Sequence, residues 1–87
     1  MNKIRKTQVD SYKKVLENIS EKQKSVYAVL SVLGPSSNRA IAKHLQWDIN
    51  RVTGRITELV NLGMVNTHGT TFDNETNRTV TLWTKSQ

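Results

Sequence analysis

The sequence predicts a mainly α-helical domain closed by a small β-hairpin. Three observations predict it. Apolar residues recur three or four positions apart through most of the first two thirds of the chain, the period of helices packed on one core. Capping and stop residues cut that pattern into separate helices. Beyond Gly63 the period falls to two, in stretches rich in Val and Thr, which is the pattern of strands.

Each element has its own signal. The opening "MNKIRK" is polar and basic, and reads as an arm. From Thr7, the residues Val9, Tyr12, Leu16 and Ile19 fall on one helical face, with Asp10, Lys14 and Asn18 on the other. Ser20 starts "SEKQ", the serine-then-glutamine spacing of a capping box, so a new helix is expected there. Its inward stripe is Val26, Val29, Leu30 and Leu33, and "GP" at Gly34–Pro35 stops it. Ser36 or Ser37 caps the next helix, which buries Ile41, Ala42 and Leu45. After the break "QWD", Asp48 stands at the N-cap of a further helix with Val52, Ile56, Leu59 and Val60 inward. "MVNTH" and "RTVTLWTK" then alternate as strands, joined by the polar connector "GTTFDNETN". The chain divides into an arm with an N-terminal helix, residues 1–20, and a domain over residues 21–87.

Composition narrows the function. Thirteen Lys and Arg against seven Asp and Glu leave a net charge of +6 and a pI near 10.0, a balance that favours polyanionic partners, above all nucleic acid. With no cysteine there is no disulfide framework, and stability must come from one hydrophobic core. No run approaches the roughly 18 apolar residues of a membrane span, and no signal-peptide core is present. A soluble protein that stays in the cytoplasm is therefore expected. His44 and His68 have no carboxylate or second histidine at ligand spacing. No Gly-rich phosphate loop or hydrolase motif occurs either. No enzyme, metal, cofactor or small-molecule ligand is expected.

From about residue 21 onward the chain resembles a winged helix-turn-helix domain, most closely the MarR-like regulators of bacteria and phages. "NRAIAKHL" matches the first motif helix, "WDINRVTGRITELVNLGMV" the recognition helix and its exit, and "VTLWT" the returning wing strand. Gln46 stands where the family usually has glycine, and Trp47 where it has an apolar plug. The resemblance implies three core helices plus a wing, with an extra N-terminal helix that either covers the domain or pairs two copies into a homodimer. It also implies double-stranded DNA as partner.

The residues of the presumed recognition helix suit that partner. A helix laid in the major groove must carry short hydrogen-bonding side chains so that its backbone can approach the base edges. At 100° per residue, Asn50, Gly54, Thr57 and Asn61 fall opposite the buried stripe, with Thr53 on the flank. Asn50, Thr53, Gly54 and Thr57 are the expected base-reading set. Glycine costs a helix roughly 1 kcal/mol relative to alanine, so its presence points to a steric demand from outside. Ser37 and Asn38, at a helix N-terminus, with Arg39, Lys43, Arg51 and Arg55, are the expected phosphate contacts. In the wing, Arg78 either reaches the minor groove, as the resemblance implies, or pairs with Glu75. Asp73 and Glu75 are acids that a minor-groove wing usually avoids, and Phe72 stands among them. These leave a second reading open: a winged-helix protein-interaction module, an adaptor or inhibitor without specific DNA binding.

Overall fold

A computed structural model describes residues 17–86. Three helices, α1 (Glu21–Leu33), α2 (Asn38–Leu45) and α3 (Ile49–Asn61), precede an antiparallel hairpin of β1 (Val65–Asp73) and β2 (Arg78–Lys85). That mainly helical order with a terminal hairpin is compatible with winged-helix topology. None of the helices among the described residues is long and apolar enough to cross a membrane.

Local chemistry sets the helix ends. The Ser20 hydroxyl accepts from the Gln23 amide while the Gln23 side chain accepts from the Ser20 amide, so the capping box forms in full. Gly34, at φ 78, ends α1 in a conformation that glycine, lacking a Cβ, adopts at least cost. Ser37 is the residue that caps α2, accepting from the Ala40 amide. Ser36 does something else, pairing its backbone with Trp83 in both directions at 2.9 and 2.8 Å. This short rung ties the entry of α2 to the hairpin. Asp48 occupies the N-cap of α3, but its side chain makes no capping bond. Its carbonyl instead starts the helical ladder, accepting from Arg51 at 3.0 Å.

The core lies between the helices and the base of the hairpin. Val26 and Leu30 from α1, Ile41 from α2, and Val52, Ile56 and Leu59 from α3 meet Met64 and Val65 there. Ile19 joins them, the one member of the N-terminal stripe within the described residues. Val9, Tyr12 and Leu16, and with them the expected N-terminal helix and dimer contact, lie outside those residues. Two expected core positions are exposed instead: Leu33 at 44% and Val60 at 37%. Leu33 is the last residue of α1, beyond the reach of the packed layer, and Tyr27 is buried in its place. Val60 lies 100° round from Leu59, at the edge of the stripe that Val52, Ile56 and Leu59 bury. Met64 and Val65 fill the core near that end.

The hairpin is longer than the alternation suggests. Thr70 to Asp73, expected in the connector, pair with Arg78 to Thr81 as strand, leaving only Asn74 to Asn77 as the turn. Threonine is β-branched and suits a strand with no buried face, and beyond Val65 no residue of β1 is buried. The register shifts between Thr67 and Thr70, where Gly69 takes φ 81, as at a β-bulge. Trp83 and Trp47 both pack against the core, so each serves the fold first.

Candidate nucleic-acid interface

Helix α3 buries Val52, Ile56 and Leu59, and that fixes its opposite side outward. Asn50, Thr53 and Thr57 are exposed, and Asn61 continues the same side. A Cβ added at Gly54 would meet no atom within 4 Å among the described residues, so nothing there requires a glycine. The hydroxyl hydrogens of this face are already used. Thr53 donates to the Ile49 carbonyl and Thr57 to the Thr53 carbonyl, each at 3.0 Å. Outward these side chains offer lone pairs and methyl groups, while the Asn50 amide carries both donor and acceptor.

The N-terminus of α2 adjoins this face. Asn38 Nδ2 donates to Thr53 Oγ1 at 3.3 Å, while the Asn38 Oδ1 is buried with no partner among the described residues. A cleft of about 370 Å³ runs from Ser37 and Asn38 to Thr76, Arg78 and Thr81 of the hairpin. Two of its walls therefore come from elements expected to contact the same ligand.

The expected cations divide into two groups. Arg51 is exposed and lies over the Trp47 ring, 5.6 Å from its centroid, a stacking that orients the guanidinium near the start of α3. Arg78 is exposed and has no ion pair among the described residues, so the expected alternative of a bridge to Glu75 is not what forms. Arg55, by contrast, is paired within α3: its Nη2 donates to Glu58 at 2.9 Å, and Glu58 also accepts from Gln23 of α1 at 2.7 Å. Glu58 thus links α3 to α1, and Arg55 pairs with it rather than standing free at the border.

Arg39 and Lys43 are engaged too, by the tip of the hairpin. Arg39 Nε donates to Asp73 at 2.9 Å and its Nη1 to Glu75 at 3.0 Å. Lys43 bonds the other oxygen of Glu75. Asp73 further accepts from the Glu75 amide and the Thr76 hydroxyl, each at 3.0 Å, which folds the turn around it. The acids therefore do not project as a bare negative tip. Two carboxylates meet two cations, and Arg78 has no carboxylate partner among the described residues.

This cluster of four charges was not visible in the sequence. Its partners stand 32 to 36 positions apart, and only the extended register of β1 carries Asp73 and Glu75 to α2. Gln46 was a visible oddity, and its reason is now plain: it takes φ 60, the left-handed conformation that glycine usually supplies at this turn.

The cluster has a defined pH response. Burial pushes the Asp73 carboxyl up, but bonds from the Glu75 amide, Arg39 and Thr76 outweigh it and hold the group below its ordinary value. The hydrogen bond from Lys43 is the main cause that lowers Glu75, helped by the charges of Lys43 and Arg39 against burial and Asp73. Groups lowered on folding favour the folded state above their unfolded values, about 4, and lose that contribution as pH falls through the lowered ones. Wild type should therefore melt above an Asp73→Asn/Glu75→Gln variant at pH 7, with the two curves converging as pH falls below the ordinary carboxylate range. A difference in melting temperature that persisted at low pH would assign the effect to the turn's shape, not its charge.

Set against known proteins, the chain matches no family model and no curated protein.

Proposed function

We propose that the chain is a winged helix-turn-helix protein of the MarR-like kind that binds double-stranded DNA sequence-specifically, as a small transcriptional or replication regulator. The observation that carries this reading is the outer face of α3: short side chains around a glycine that the fold itself does not need. In this reading α3 enters the major groove. Asn50 pairs with a base edge, Thr57 and Thr53 accept hydrogen bonds or meet a thymine methyl, and Gly54 admits the closest approach. Arg51, the amides at Ser37 and Asn38, and Arg78 on the wing position the protein on phosphates. The net charge of +6 supplies attraction independent of sequence. Pairing of two copies through residues 1–20 would fit an inverted repeat with half-sites about one helical turn apart.

Duplex affinity measured against salt tests this reading. Each phosphate neutralised adds about −0.9 to the slope of log K against log salt, so three or more contacts give a slope steeper than about −2.7. A flat response would favour the second reading, a protein-interaction module. One observation speaks for that alternative: Phe72, 55% exposed near the wing tip, offers an apolar anchor that a DNA wing does not need.

A further inference from the structure

We propose that Glu75 stands where a DNA phosphate would bind between Arg39 and Lys43, so that the hairpin tip is a tethered competitor the duplex has to displace. This inference rests on the DNA-binding reading above and names a regulation of the same surface.

The geometry points there from three sides. Arg39 and Lys43 lie one turn apart on α2, and a single carboxylate bridges them, one oxygen to each. Two oxygens spanning a guanidinium and an ammonium is the arrangement a phosphate would also adopt. The charges of Arg39, Lys43, Asp73 and Glu75 sum to zero, so the site offers a polyanion no net attraction while Glu75 is in place.

The two acids differ in what holds them. The Asp73 side chain is only 11% exposed and accepts from the turn's own amide and hydroxyl as well as from Arg39. It belongs to the framework of the hairpin. The Glu75 side chain is 48% exposed, and its carboxylate bonds only the two cations among the described residues. Exposed ion pairs contribute little and weaken with salt, so a rotation of this one side chain clears the site without unfolding the turn. The competitor therefore sets a threshold and does not lock the surface. Weakly attracted duplexes fail to displace it, and a duplex held by α3 on its bases can.

The test compares a duplex of arbitrary sequence binding to wild type, Glu75→Gln and Glu75→Gln/Lys43→Ala, by fluorescence anisotropy across a salt series, with thermal melts to check each fold. Glu75→Gln keeps the shape and removes the charge. It should bind about fivefold to tenfold tighter at 0.1 M salt, with a slope steeper by about 0.9, the signature of one added phosphate contact. Adding Lys43→Ala should cancel that gain. Wild type binding with a steep slope while Glu75→Gln binds no tighter overturns the inference and leaves the proposed function intact, with Glu75 then merely ordering Arg39. A gain that survives Lys43→Ala also overturns it. No binding by any of the three at low salt overturns the DNA-binding reading, and this inference with it.

Discussion

Leucine in place of Gly54 is expected to strengthen the fold and weaken duplex binding. The position is in the middle of α3, its φ is not positive, and a new Cβ there meets no atom within 4 Å. Leucine is a better helix former than glycine by nearly 1 kcal/mol. In a domain of this size such a gain raises the melting temperature by about 4–8 °C. The same side chain would stand on the side of α3 opposite Ile56, where base edges would approach in the proposed complex. A loss of at least about tenfold in affinity, or 1.4 kcal/mol, is expected. The opposed directions make the pair of measurements informative. A variant that is more stable and binds DNA as well as wild type would mean that the glycine is a tolerated blemish on a solvated face. A less stable variant would mean that some part of the chain packs over α3.

What the sequence made legible was local. The capping box at Ser20 and Gln23 needs three residues' spacing, and it formed as written. The inward stripe of α3 was readable from periodicity at Val52, Ile56 and Leu59. At Val60 the reading failed, because adjacent apolar residues compete for the core and the crossing of helices decides between them. Leu33 failed for a related reason: periodicity does not say where along a helix the packed layer ends. Thr70 to Phe72 looked like loop because a strand exposed on both faces has no alternation to show. The pairing of Arg39 and Lys43 with Asp73 and Glu75 depended on that missed strand. An error of a few residues in β1 thus concealed the main electrostatic feature beside the candidate site. The outer face of α3 was legible because it follows from the inner one by rotation alone.

Arg39, Lys43 and Arg55, read from sequence as phosphate contacts, are ion-paired within the fold. On the proposed reading, Arg51 and Arg78 are the expected contacts that can meet phosphates without first breaking an ion pair among the described residues. Arg51 is accordingly the better control for contacts that carry no sequence information.

On the proposed reading, α3 distinguishes one DNA sequence from another through Asn50 and Thr57. The most direct measurement compares affinity for a duplex selected from a random pool with affinity for a scrambled one, in wild type, Asn50→Ala/Thr57→Ala and Arg51→Ala. Both changed residues of the double variant are exposed, so the fold should survive. The double variant should lose about 1–3 kcal/mol of discrimination at each base pair it reads, while its affinity for the scrambled duplex stays near that of wild type. Arg51→Ala should weaken both duplexes about equally. If the double variant and Arg51→Ala lower both affinities alike, or if the double variant discriminates as well as wild type, α3 does not read sequence and the account is contradicted.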